Sequence, residues 1–242
     1  MDRNFFNWFD NRINTYSNMS GLHVDSVIKT FGINQVLTDV FISCKVGEII
    51  GLLGRNGSGK STLLKIIFGS LSADTKFVKI GSRLTNGLFD NRKMISYLPQ
   101  DSFLPKHVTI KQAIGLLCSN ANYENIASNI HIRPLLNKKS KELSGGEKRL
   151  VEIYLIVYSD AKYILLDEPF NGIAPLLKED IKKLIQEQSK HKGFIITDHD
   201  YRNILDVATR TILIHDGGTK EIRQKDELRR WGYISETAYL QE

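Results

Sequence analysis

The chain has 242 residues, 41% hydrophobic and 25% charged, with a formal net charge of +6. That length is enough to bury one substantial core, that balance argues against a disordered chain, and no apolar run nears the ~20 residues needed to cross a bilayer. Two cysteines, Cys44 and Cys118, lie far apart without metal-ligand spacing, which fits a reducing compartment and argues against a disulfide framework or zinc site. The basic residues are dispersed and often sit beside Asp or Glu, so the surface reads as solvated and lysine-rich, and no nucleic-acid partner is expected.

Residues 1–20 form an aromatic extension in which Phe5, Phe9, Ile13 and Tyr16 share one face if the segment is helical. That face either packs on its own domain or docks a partner subunit or membrane surface. Alternation from Leu22 to Ile28 and from Val36 to Val46 predicts two strands, with Phe31-Gly32 in the turn between them. The run Glu48 to Leu53 then has strand length and leads into Gly54-Arg55-Asn56-Gly57-Ser58-Gly59-Lys60-Ser61-Thr62, behind which Leu63 to Phe68 is helical and closed by Gly69. This strand, glycine-rich loop and helix form a phosphate-binding unit. Its glycines let backbone N–H groups turn inward toward anionic oxygens. Lys60 is placed to reach the β- and γ-phosphates, Ser61 to ligate Mg²⁺, and Thr62 to donate to a further phosphate oxygen.

Residues 76 to 98 alternate again around an Asn86-Gly87 turn and end at Pro99-Gln100. From 101 to 142 the pattern turns helical: Thr109 caps one helix carrying Ile110, Ala113, Ile114 and Leu117, while Ile126, Ile130 and Leu135 suit a second. This segment reads as an inserted small helical subdomain. Beyond it come an amphipathic helix from Gly145 to Tyr158, the apolar strand Tyr163 to Leu166, a helix from Leu177 to Lys190, and candidate strands at Gly193–Thr197 and Thr211–Ile214. Short apolar strands alternating with helices indicate a buried, mostly parallel sheet. The expected fold is α/β, with a P-loop core and an antiparallel β region near the N-terminus, in one domain spanning 1–242.

A phosphate loop needs a carboxylate for Mg²⁺ and a group that orients the attacking water. Asp167 and Glu168, at the carboxyl end of an apolar strand, fit those two tasks in that order. Leu143-Ser144-Gly145-Gly146-Glu147 has the Ser and Glu of a helix capping box, and its glycines leave the first helical N–H groups open to a second anion.

With these segments in order, the chain resembles the ATP-binding cassette (ABC) family. The resemblance rests on Gly54 to Thr62, Gln100, Leu143 to Glu147, Tyr163 to Glu168 and His199, and it spans most of the chain. It implies an ATPase that uses ATP and Mg²⁺ and works as a pair, either homodimer or heterodimer with a second ABC subunit. The phosphate loop of one cassette and Ser144, Gly145 and Gly146 of the other would together hold each ATP. The resemblance further implies that Gln100 contacts Mg²⁺ and the attacking water, that His199 contacts the γ-phosphate, and that Phe31 stacks on adenine. It implies transmembrane partner subunits and a cytoplasmic place on the inner face of the membrane. The alternative is a soluble ABC ATPase acting as an assembly factor, as in iron–sulfur cluster biogenesis.

Two features depart from the family pattern. Ala174 stands where the loop after the glutamate commonly has aspartate, and the segment from Gln100 to Ser144 is short. Arg149-Leu150-Val151-Glu152-Ile153 and Glu168-Pro169-Phe170 with Gly172 look most like the ATPases of branched-chain amino acid uptake and lipopolysaccharide transport.

Overall fold

The computed structural model describes residues 20–91 and 93–234. The aromatic face expected at Phe5, Phe9, Ile13 and Tyr16 lies outside them.

Three continuous apolar runs make the centre of the molecule: β3 (Ile49–Leu53), β7 (Tyr163–Asp167) and β8 (Gly193–Thr197), every residue of which is buried. Such runs suit a sheet covered on both faces. They pair in parallel with β6 (Ile95–Leu98) and β9 (Arg210–His215) in the order β9-β3-β8-β7-β6. On the far side β1 (Leu22–Phe31), β2 (Asn34–Cys44), β4 (Thr75–Ile80) and the short β5 (Arg83–Leu84) pair antiparallel. The two regions meet through β10 (Gly218–Ile222), which pairs antiparallel with β9 and makes one parallel bridge, Gly218 to Asp39, with β2. Among the described residues the result is a single ten-stranded mixed sheet with the antiparallel region at one edge.

Helix α1 (Lys60–Phe68) follows β3 through the glycine-rich loop and packs Leu63, Leu64, Ile66 and Ile67 against the sheet. Gly69, at φ 94°, ends it by donating to the carbonyls of Lys65 and Ile66. The Asn91 side chain, at the end of the short α2 (Leu88–Asn91), donates to the Ile67 and Phe68 carbonyls at 2.8 and 2.9 Å. The opposite face is covered by α5 (Gly145–Val157) and α6 (Pro175–Ser189), whose Val151, Ile153, Leu155, Ile181 and Ile185 are fully buried. Each such side chain contributes about 1.5–3 kcal/mol by leaving water. Gly51, in β3, lies under α7 (Tyr201–Leu205): a Cβ there would stand 2.3 Å from Ile204 Cγ2. Only glycine lets this helix approach the strand so closely.

Between β6 and α5 the chain forms α3 (Ile110–Leu117) and α4 (Asn120–Ala127), with 3₁₀ turns at Arg133–Leu135 and Ser140–Glu142. Thr109 caps α3 as expected: its side chain accepts from the Gln112 N–H, and the Gln112 side chain accepts from the Thr109 N–H. The second helix is shorter than Ile126, Ile130 and Leu135 predict. It stops at Ala127, where Asn129 Oδ1 accepts the backbone N–H of His131 and Ile132 and turns the chain, leaving Ile130 exposed. The last helix among the described residues is α8 (Lys225–Arg230).

Candidate active site

The glycine-rich loop begins where β3 ends. Gly59, at φ 98°, adopts a left-handed conformation, and a Cβ there would come within 3 Å of the Val36 and Leu37 side chains. The chain therefore turns straight into α1 with Lys60 as its first residue. Lys60 is buried, and its Nζ donates to the carbonyls of Gly54 (2.7 Å) and Arg55 (3.3 Å), closing the loop around its own ammonium. Burial lowers the Lys60 pKa, while the charges of Glu168 and Asp167 oppose that shift. A phosphate oxygen facing the loop would supply the counter-charge this ammonium lacks at close range.

Ser61, Asp167, Gln100, Glu168 and His199 converge beside Lys60. Asp167, at the end of β7, is 1% exposed, and its Oδ1 accepts from Ser61 Oγ (3.1 Å) and Thr197 Oγ1 (2.8 Å) while Oδ2 accepts from Tyr97 OH (3.0 Å). Desolvation and the Asp167 charge raise the Tyr97 pKa, so this phenol stays a donor. Glu168, also buried, has one oxygen on Gln100 Nε2 at 2.8 Å and the other on His199 Nε2 at 2.7 Å. Gln100 Nε2 also lies 3.2 Å from Ser61 Oγ. Asn56, Gly57, Ser58, Gly59, Lys60, Ser61, Thr62, Gln100, Glu168 and His199 line one cleft of about 400 Å³.

Glu168 is held by more than its carboxylate. Its φ of 52° lies in the left-handed region, a conformation costing about 1–3 kcal/mol for a residue with a side chain. Its N–H donates to Thr197, across the β7–β8 pair, and its carbonyl accepts from Arg149.

The other expected residues stand apart from this cleft. Ser144 is the N-cap of α5: its Oγ accepts from the Glu147 N–H at 3.2 Å and its own N–H donates to Glu147 Oε2 at 2.8 Å. Gly145 lines a second cleft of about 310 Å³ with Arg149, Glu152 and Gly172, which shares Gln100 and Glu168 with the first, and the α5 start at Gly146 faces the Gly172 carbonyl. Phe31, the last residue of β1, lines neither cleft; it is 47% exposed with Lys29 Nζ 5.0 Å from its ring centre. Ser58 Oγ turns toward Gly54 and has no hydrogen-bond partner among the described residues.

Sequence reasoning missed Tyr97 and Thr197. Both are set by strand register, since Thr197 pairs directly with Asp167 and Tyr97 lies on β6 beside β7. The alternation that identified those strands carries no sign of which neighbours they would meet.

A parallel sheet with a phosphate loop after one strand and an acidic pair after another defines a P-loop nucleotide-binding protein. The comparisons with known proteins narrow that class. Residues 37–171, more than half of the chain, match the family described as ABC transporter. The lipopolysaccharide export system ATP-binding protein LptB of Haemophilus influenzae is 31% identical over 237 residues, covering 90% of this chain and 98% of the relative. The protein of that name from Escherichia coli K12 is 32% identical over 232 residues, covering 88% and 96%. Among solved structures, an ATP-binding subunit of an ABC transporter superposes with a TM-score of 0.78 at 26% identity, covering 88% of this chain and 94% of the other. A nucleotide-free ATP-binding cassette from an ABC transporter gives 0.73 at 28%, covering 89% and 96%. The chain belongs to the ABC transporter family, as an ATP-binding ATPase subunit.

Proposed function

We propose that this chain hydrolyses MgATP at the cleft between Lys60 and Glu168 and so drives a membrane transporter. The observation that carries the reading is the convergence of Lys60, Ser61, Gln100, Glu168 and His199, from four separate segments, on one cleft. Glu168 orients a water and takes its proton as the water oxygen bonds to the γ-phosphorus and the bond to ADP breaks. Lys60 and His199 hold γ-phosphate oxygens as charge shifts toward the leaving group. The Ser61 hydroxyl and the Asp167 carboxylate are hard oxygen donors that would fit Mg²⁺ while leaving places for phosphate and water, and Gln100, whose Nε2 here faces Ser61 and Glu168, would turn its amide oxygen to the ion. When bound, that ion neutralises charge on the β- and γ-phosphates.

Gly54, Asn56, Gly57, Ser58, Gly59 and Thr62 belong to the same phosphate cradle, Ser58 through its place in the loop rather than its hydroxyl, and Phe31 is the proposed adenine contact. Ser144, Gly145 and Gly146 sit at a helix N-terminus away from the loop, so they serve the nucleotide of a second ABC subunit, homologous or identical, closing head to tail. In this reading the chain is cytoplasmic and peripheral on the inner face of the membrane, bound to transmembrane subunits. Among the described residues no helix is long and apolar enough to cross a membrane. The relatives named for lipopolysaccharide export favour transport over an assembly-factor role and make a lipopolysaccharide-like cargo the first to test.

The test is affinity purification of the tagged Glu168→Gln chain from gently solubilised native membranes with MgATP. Recovery of a multi-span membrane protein together with a second ABC subunit supports the reading. Recovery of soluble partners alone would move it to the assembly-factor class, and wild-type hydrolysis by the purified variant would remove Glu168 from its role.

A further inference from the structure

One charged pair on α5 reaches the catalytic cleft from behind. Arg149 is 8% exposed and Glu152, one helical turn later, is 1% exposed. The Arg149 fork spreads over three backbone carbonyls: Nη1 donates to Pro99 at 2.6 Å, and Nη2 donates to Asp167 at 2.6 Å and Glu168 at 3.0 Å. Glu152 Oε2 is 3.9 Å from Nη1, while its Oε1 accepts from the Ser102 hydroxyl and from the N–H groups of Phe103 (3.1 Å) and Leu104 (3.4 Å). The pair therefore grips the chain on both sides of Gln100 and also the two peptide units that set the left-handed turn at Glu168.

Three facts give this arrangement a purpose beyond packing. Buried charges are placed only where they are paired and hydrogen-bonded, and here every bond beyond the pair itself goes to a segment carrying a site residue. Arginine's planar fork suits several fixed acceptors at once, which an ammonium on a flexible stem does not. The helix bearing the pair is capped by Ser144, and at Gly146 in its first turn the Gly172 carbonyl, in the loop after Glu168, lies so near that a Cβ would stand 3.1 Å from it.

We propose that Arg149, braced by Glu152, is a positioning residue that fixes Gln100 and Glu168 relative to each other and ties their geometry to the N-terminus of α5. The proposal rests on the reading that Glu168 orients the attacking water. Through this link, movement of the Ser144 end of α5 on a partner's nucleotide shifts the carboxylate in this chain's own cleft.

The test compares Arg149→Met and Arg149→Lys in the full chain, measuring kcat, KM, the Kd for a fluorescent ATP analogue and the thermal midpoint. Arg149→Met is expected to lower kcat about 10²-fold, the cost of displacing a reacting group by about 1 Å, with Kd changed less than threefold. Arg149→Lys is expected to recover only part of that loss. In the Glu168→Gln background, Arg149→Met is expected to add less than a twofold further loss, because it acts through that carboxylate. A purely structural role would move Kd and kcat together and would multiply with Glu168→Gln; either result overturns the proposal. Should Arg149→Met fail to melt cooperatively, Arg149→Lys decides: a kcat within twofold of wild type overturns it, and a larger fall at unchanged Kd supports it. Failure of the Glu168 reading itself would show separately, as wild-type hydrolysis by Glu168→Gln alone.

Discussion

His199 Nε2 lies 2.7 Å from Glu168 Oε2, although the two residues follow different strands, β8 and β7. With Gln100 on the other oxygen at 2.8 Å, both acceptors of the carboxylate are engaged by protein donors. Each oxygen keeps a second lone pair for a water, and of the two donors that crowd the carboxylate His199, whose side chain is 53% exposed, is the freer to move away. Removing it frees the carboxylate and, under the proposed function, also deletes a donor for the γ-phosphate. If the donor matters more, His199→Ala lowers kcat by about 10²-fold or more while KM for ATP changes only a few-fold. Steady-state hydrolysis against ATP concentration separates the two, and a faster variant would show that His199 restrains Glu168 instead.

Ser58 Oγ is buried in the phosphate loop without a partner among the described residues, close against Gly54. An unpaired buried hydroxyl costs about 1–3 kcal/mol. Ser58→Ala is therefore expected to stabilise the nucleotide-free protein by about 1 kcal/mol, a rise of about 2–4 °C in melting temperature, and to leave ATP affinity within twofold. Differential scanning fluorimetry with and without MgATP checks both halves. Weaker ATP binding at unchanged stability would mean that the hydroxyl turns to face phosphate.

The parts legible in sequence are those whose chemistry is local. The phosphate loop, the Ser144 cap and the Asp167-Glu168 pair are each contiguous, so spacing alone revealed them. The Thr109 cap was equally visible because a capping box spans only four residues. Ile130 misled because helical spacing continued past the point where Asn129 diverts the backbone. Strand β10 was overlooked although Asp216-Gly217, with φ of 49° and 75°, makes the two-residue hairpin turn that joins it to β9. Its sequence, Gly218 to Ile222, is too polar to read as a strand without its partner. Arg149 was noticed as part of a motif, but its three carbonyls come from segments 18 to 50 residues away, and no local pattern encodes them.

Gly51 tests whether the sheet beneath the site tolerates any side chain. A Cβ there would stand 2.3 Å from Ile204 Cγ2 and 3.0 Å from Ala208 Cβ, so Gly51→Ala forces α7 away from β3. The expected loss is about 1–3 kcal/mol, as for other overpacked cores. Ile204→Ala removes the colliding methyl, and the double variant is expected to lose less than the two single losses combined. Urea denaturation of the four proteins gives the coupling. Additive losses would place the strain elsewhere.

His23 sets a pH limit on stability at the antiparallel edge. It lies on β1 opposite Ser43 and Lys79, is 2% exposed, and neither ring nitrogen has a hydrogen-bond partner among the described residues. Burial, followed by the charges of Lys79 and Lys45, lowers its pKa below the ordinary 6.5. The unfolded chain therefore takes up a proton near pH 6.5 that the native ring resists. With more protons bound in the unfolded state, stability falls as pH drops through and below 6.5, and above that value this residue adds no slope. His23→Leu removes both the titration and the unpaired nitrogens. It is expected to match or exceed wild-type stability at pH 7.5 and to gain on wild type steadily down to pH 5.5. Denaturation midpoints across that range decide the matter: a constant difference between the two proteins would mean that the imidazolium finds a partner in the fold.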